Sequence, residues 1–293
     1  MRSNGQERVP NWGKLSLIPC RPPHYKNMTG LDSFFASVKL PTMSEVAHQL
    51  IQTLNQEEVS VREVRDIIAN DPAITAKLLR LANSAQFGLP RGVSTLDDAI
   101  HMVGMSAVRA LSLGACMNDA FPVLPGLNQQ AFWKNSTACA GYAQWLGTAL
   151  NMDGQQAWLT GLMLRLGELL IGQAVPRALA EIEALPHIPG GRWAREKRLI
   201  GFSEGQITAE LARRWNFPMQ IVQALERSHD PLVEQAFSRL GAVVNLAGTL
   251  ADVPDATADA VDSLSADVIA KLSLDVKWMK ASFPVANSFV SIT

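Results

Sequence analysis

The sequence predicts an all-α, multi-helix globule, and three observations carry that prediction. Apolar residues recur at three- and four-residue spacing from Leu40 onward, the period of a helix with one buried face. Ser, Thr, Asn, Asp and Pro stand where helix starts need them. No alternating run bounded by hairpin turn residues occurs. With 293 residues, 47% of them hydrophobic, the chain can bury a large core.

Residues 1–38 lack any sustained period. Pro10, Pro19, Pro22 and Pro23 interrupt them among scattered basic residues, so a flexible lead-in is expected, docking through Trp12 to Ile18. Met28 is an alternative start. Thr42-Met43-Ser44-Glu45 reads as a capping box, with Thr42 as the cap, ahead of Val46, Leu50 and Leu54. Ser60-Val61-Arg62-Glu63 repeats the pattern before Val64, Ile67 and Ile68. Asp71-Pro72 opens the next helix, because Asp caps and Pro lacks only a donor that the first turn leaves unused. Ile74, Leu78 and Leu81 form its buried stripe. Thr95 opens a helix that closes near Gly104, and Ser106 opens another with Val108 and Leu111 inward.

Asn128 caps a long helix through Trp133, Cys139, Tyr142 and Leu146. Asp153 caps one expected to run unbroken through Trp158, Leu162, Leu166 and Leu170. The basic run Arg192, Arg195, Lys197, Arg198 is expected on a solvated helix face, with a docking patch for an acidic partner as the alternative. Ser203-Glu204-Gly205-Gln206 is a capping box before Leu211 and Trp215. Pro218 starts a helix through Ile221, Val222 and Leu225, and Pro231 precedes one through Phe237, Leu240, Val244 and Leu246. Asp252, Asp255, Asp259, Asp262 and Asp267 have no basic residue among them and read as a solvated turn region before a helix near Val268 to Met279. The expected organisation is a lead-in at 1–38, a helical domain at 39–250 with lobes at 39–122 and 128–250, and an acidic turn region with a C-terminal helix at 251–293.

A formal net charge of -1 gives no global pull on nucleic acid or an anionic membrane. No apolar run reaches the roughly 18 to 20 residues of a membrane span, and the N-terminus lacks the apolar stretch of a signal peptide, so a cytoplasmic protein is expected. Cys20, Cys116 and Cys139 are too scattered for a disulfide framework or a zinc site and read as free thiols. Neither Gly141 to Gly147 nor Gly190-Gly191 has the spacing of a phosphate-binding loop.

Several segments together resemble a known family. Leu40-Pro41 precedes the first capped helix, and residues 71–88 read DPAITAKLLRLANSAQFG. Ser94 to Ile100 runs into Val103-Gly104. Trp133, the stretch Gly161 to Gly167, and Arg214-Trp215-Asn216-Phe217-Pro218 follow in order. This arrangement, over about residues 38–250, resembles the HDOD domain family, helical signalling modules related to HD-type phosphohydrolases. The residues themselves give the motif a structural reading. Asp71 caps, Pro72 starts the helix, Leu78, Leu79 and Leu81 pack, and Asn83-Ser84 satisfy terminal backbone groups before a turn at Gly88. Thr75, Trp215 and Pro218 are expected to be structural in the same way. No acid or His near Ser84 in sequence could activate it as a nucleophile.

The resemblance also implies where metal ligands would stand in catalytic relatives. An early His position holds Asn135, and the defining His-Asp pair reads Leu164-Arg165 within Gly161 to Gly167. A later His position holds Glu204, and a His-His pair reads Ser228-His229. Glu168 and Asp230 are loose neighbours. Leu binds no metal, and a permanent guanidinium charge repels a divalent cation. The expectation is therefore a module without catalytic, cofactor or metal sites, acting on signalling proteins supplied in trans. Arg165 is read either as a salt-bridged replacement for the metal charge or as a grip on a small anionic ligand. A residual phosphohydrolase built on Glu204 and His229 is the alternative.

Overall fold

The computed structural model describes residues 30–84, 92–122, 124–184, 188–233, 237–284 and 289. Gly88, most of the lead-in and Met28 lie outside the described residues. Among those described there are sixteen α-helices, one 3₁₀ helix and no strand. A short α1 (Leu31–Ala36) closes the segment expected as a loose lead-in, and it buries Phe34 and Phe35. The Arg214 guanidinium lies 4.7 Å over the Phe35 ring.

The N-terminal group comprises α2 (Glu45–Leu54), α3 (Val61–Ala69), α4 (Pro72–Ala82), α5 (Leu96–Val103) and α6 (Met105–Ala120). The starts are local chemistry. Ser60 accepts from the Glu63 amide, Asp71 from Ala73 and Ile74, and Thr95 from Asp98. The first start is corrected: Ser44, not Thr42, is the cap, accepting from Ala47. The α6 start is also corrected, from Ser106 to Met105, because Gly104 takes a left-handed φ of 91° that turns the chain directly out of α5. The Thr75 hydroxyl donates to the Ile68 carbonyl and ties α4 to α3. Asn83 donates to the Leu79 and Val93 carbonyls and accepts from the Val93 amide, which fixes the chain on both sides of residues 85–91. Ser84 Oγ has no partner among the described residues.

The C-terminal group is built on α7 (Gln129–Ala149), which packs most extensively on α8 (Gly154–Met163) and then on α14 (Arg239–Ala251). The expected unbroken helix after Asp153 is corrected: it stops at Met163, and α9 (Leu166–Ala174) begins after a turn at Leu164-Arg165. Then come α10 (Pro176–Ala184), α11 (Gly191–Ile200), α12 (Glu204–Arg214) and α13 (Met219–Arg227). Asn128, Asp153 and Ser203 cap as expected, the last through a reciprocal box with Gln206. The final core helix starts at Arg239 behind Ser238, later than Pro231 suggested. The C-terminal region holds a 3₁₀ helix at Ala258–Ser263 and two helices where one was expected, α15 (Ala266–Leu272) and α16 (Val276–Ala281), separated at Ser273 with φ 57°.

The two groups share one hydrophobic core and meet along α6 and α8. At Gly114 a Cβ would sit 2.9 Å from Leu162 and 3.2 Å from Trp158, so a bare backbone is what lets these helices approach. No single helix among the described residues is long and apolar enough to cross a membrane.

Candidate functional site

The turn between α8 and α9 is held from a distance. The Thr208 hydroxyl on α12 donates to the Leu164 carbonyl at 3.0 Å and accepts from the Gly167 amide at 2.7 Å. Gly167 lies against the start of α12, where any Cβ would stand 2.2 Å from the Glu204 carbonyl oxygen. Leu164 is fully buried, and its methyls fill the space left by Gly205 and Gly248. Arg165, next in the chain, points the other way.

Arg165 and Arg192 anchor a buried ion-pair network. Arg165 bonds Asp252 at the end of α14 and lies 3.8 Å from Glu168. The second Asp252 oxygen accepts from the Gly190 amide. Arg192, on α11, bonds Glu196 at 2.8 Å and Glu183, and lies 3.4 Å from both Glu168 and Glu204. Glu204 accepts from the Trp193 indole at 3.1 Å, and Glu196 accepts from the Glu204 amide at 2.7 Å. The Arg165, Glu168, Arg192, Glu196, Glu204 and Asp252 side chains are all at most 8% exposed.

Five carboxylates thus surround two guanidinium groups. Burial works against each Arg charge, but Asp252 and Glu204 at Arg165, and Glu168 and Glu196 at Arg192, more than offset it and raise both. The acids are raised as well. Burial pushes Glu168, Glu196 and Glu204 above the ordinary carboxylate value, and Glu204 adds repulsion at Glu196. Arg165 Nε, Glu168 Oε2, Arg192 Nη2 and Glu204 Oε2 make no hydrogen bond among the described residues.

The network is open to solvent on one side, at a cleft of about 360 Å³ whose lining includes Asn135, Tyr142, Arg165, Glu168, Glu183 and Asp252. The HDOD domain family model matches residues 40–231. The chain belongs to the HDOD domain family. A Shewanella amazonensis SB2B protein with a provisional phosphohydrolase name is 27% identical, at a TM-score of 0.69 over 86% of this chain and 91% of that one. An HDOD domain protein of unknown function from Geobacter sulfurreducens gives the same TM-score, 0.69, at 22% identity, over 86% of this chain and 91% of that one. A Marinobacter aquaeolei VT8 protein, provisionally named for signal transduction, reaches 0.68 at 20% identity, over 86% of this chain and 57% of that one. An uncharacterized protein of Treponema pallidum is 26% identical over 199 residues, a match that spans 65% of this chain and 38% of that protein's length.

Within this HDOD chain the positions flagged in the sequence separate into two sets. Asn135 and Arg165 reach the cleft, and Glu204 stands behind them in contact with Arg192. Leu164 is core. Ser228 is core as well: its hydroxyl donates to the Leu225 carbonyl, close under Gly205. His229 faces elsewhere, with Nε2 2.9 Å from the Lys197 ammonium, and burial together with that charge lowers its pKa. Of the loose neighbours, Glu168 joins the network, while Asp230 is exposed.

Two expectations are corrected. Arg192 and Arg195 are 2% and 9% exposed and do not lie on a solvated face, although Lys197 and Arg198 are exposed. Asp252 is not part of a solvated turn, because its carboxylate is drawn under α14 by Arg165 and Gly190. Arg192, Glu196, Glu183 and Asp252 were thus missed as site residues. The one local signal was the Arg192–Glu196 pair, four apart on one face beside Trp193. A metal ion does not fit this arrangement. Leu164 offers no donor, Arg165 brings a fixed positive charge, and no group of three or more His, Cys, Asp and Glu able to hold a metal occurs among the described residues.

Proposed function

We propose that this HDOD chain is a non-catalytic regulatory module that acts by binding a ligand or another protein. The observation that carries the reading is the ion pair between Arg165 and Asp252 in the place where relatives would hold a metal-binding pair. In a metal-dependent hydrolase the cation lowers the pKa of a bound water and neutralises phosphate charge. A guanidinium already committed to carboxylates offers no open coordination position and generates no hydroxide. Leu164, sealed between two glycines, leaves no space for an imidazole without repacking. What remains is a polar cleft on a tightly packed helical frame, which suits recognition.

The test is a hydrolysis assay on the full chain, with bis(p-nitrophenyl) phosphate in added manganese or iron. No turnover above the metal-only blank is expected. Turnover that disappears in a Glu204→Gln variant, with folding intact, overturns the reading in favour of a residual phosphohydrolase.

A further inference from the structure

Aromatic side chains from the C-terminal part of the chain gather on one face of α7. Phe283 packs on Tyr142 and Trp145, with ring centroids 5.5 Å and 5.7 Å apart, and Phe289 meets the Tyr142 ring edge to face at 4.9 Å. Trp278 on α16 stacks on Trp145 at 5.3 Å. Gly141 makes the seat for Phe289. A Cβ at Gly141 would stand 2.2 to 2.5 Å from the Phe289 ring, and its three nearest atoms all belong to that ring. Gly141 lies in the interior of α7, where Gly weakens a helix relative to Ala. What the bare backbone admits in return is one aromatic ring.

Three features make this contact detachable. Among the described residues no backbone hydrogen bond holds Phe283, Pro284 or Phe289, so ring packing ties them down. Phe283 and Phe289 are half-buried, whereas Met279 on α16 is fully buried and anchors the chain just before them. The Tyr142 hydroxyl and the Trp145 indole N–H, on the two side chains that the rings pack against, are buried without a hydrogen-bond partner. Their burial forfeits hydrogen bonds to water, so aromatic attraction works against a polar cost and the balance is small. A segment held in this way opens at far lower free energy than a core does. Tyr142 also lines the cleft that holds Arg165, so the seat adjoins that cleft.

We propose that the α7 face around Gly141 is a receptor site for an aromatic segment, filled in cis by this chain's own Phe289, and that release of the segment bares Gly141, Tyr142 and Trp145. The assignment does not depend on whether the Arg165 centre is catalytic.

The experiment titrates the full chain with a fluorescein-labelled peptide of residues 282–293, SFPVANSFVSIT, read by fluorescence anisotropy. In the wild type the tethered Phe289 competes at high effective concentration. The Phe289→Ala chain, whose seat is empty, is expected to bind the peptide tighter by about tenfold or more. Adding Gly141→Ala to that chain puts a methyl group in the seat and abolishes binding. A peptide carrying the Phe289→Ala change does not bind either chain. The Phe289→Ala chain melts at the wild-type temperature, because the segment adds little to the core. No binding to the Phe289→Ala chain, equal binding to it and to the wild type, or binding that survives Gly141→Ala overturns the proposal. So does a melting temperature that collapses in Phe289→Ala, which makes Phe289 a core residue. A wild-type dimer that dissociates in Phe289→Ala overturns the cis assignment, because the seat then belongs to a second copy's segment.

Discussion

The helices α2 to α6 and the helices around Arg165 are buried to the same depth and filled with opposite materials. In the first region Leu50, Val64, Ile68, Leu78 and Leu113 are fully buried, and Thr53 and Ser112 are the buried polar residues. In the second, Arg165, Glu168, Arg192, Glu196 and Glu204 occupy equally dry positions. Aliphatic burial stabilises directly, at about 25 cal/mol per Å² of apolar surface removed from water. Buried ion pairs give up hydration to form, so their net contribution is small and sometimes negative. The difference teaches that the second region keeps a polar centre for a reason other than stability. Its own guanidinium groups pair the acids of that centre.

Removing one of those cations is the strongest way to break the comparison. Arg192→Ala removes the guanidinium that the buried Glu168, Glu196 and Glu204 share. A loss of about 3–5 kcal/mol is expected in urea denaturation. A loss below that of a surface mutation would mean that the network is loosely held. On the apolar side, Leu78→Ala should cost about 2–5 kcal/mol by leaving a cavity. That loss should be the same at pH 5 and pH 8, because it is a loss of apolar packing by a side chain that does not titrate.

The Arg165–Asp252 pair sharpens the comparison through a double-mutant cycle. Arg165→Met and Asp252→Leu should each destabilise by leaving an unpaired buried charge. The double variant should recover much of the loss, with a coupling of about 0.5–3 kcal/mol. Additive losses would show that the two side chains do not act as a pair.

The smallest effect concerns pH. Glu196 and Glu204 are held above 4.5 in the folded chain, chiefly by burial. The native state therefore keeps protons that the unfolded chain releases. The stability tied to these two groups is present in full below pH 4.5 and falls as pH rises from there toward neutrality. Glu204→Gln, which stays neutral, should flatten that decline by an amount on the order of 1 kcal/mol. Identical pH profiles for the wild type and this variant would show that Glu204 is ionised throughout.

Much of the fold was legible in sequence because its signals are local. Asp71 before Pro72, Asn128, Asp153, and Ser203 with Gln206 each act within four residues, and each caps the helix it was assigned. The α8–α9 break was not legible. Leu162, Leu166 and Leu170 keep a helical period straight through it, and the turn is enforced by Thr208, more than forty residues away in sequence. The candidate site was half legible. Leu164-Arg165 stood where the family resemblance places a metal-binding pair, and Glu204 lay near the right place. Arg192 with Glu196 looks like any exposed ion pair on a helix, and Asp252 like one acid in an acidic run. Only tertiary contacts with Glu168, Glu183 and Arg165 bury them.

The central claim is that guanidinium groups of the chain occupy the electrostatic place of a metal. Elemental mass spectrometry on protein purified from manganese- and iron-supplemented medium tests it most directly, paired with melting curves in manganese and in EDTA. The account predicts metal far below one equivalent per chain and no shift in melting temperature between the two solutions. One or two equivalents of tightly held metal, with a melting temperature that drops in EDTA, would contradict it.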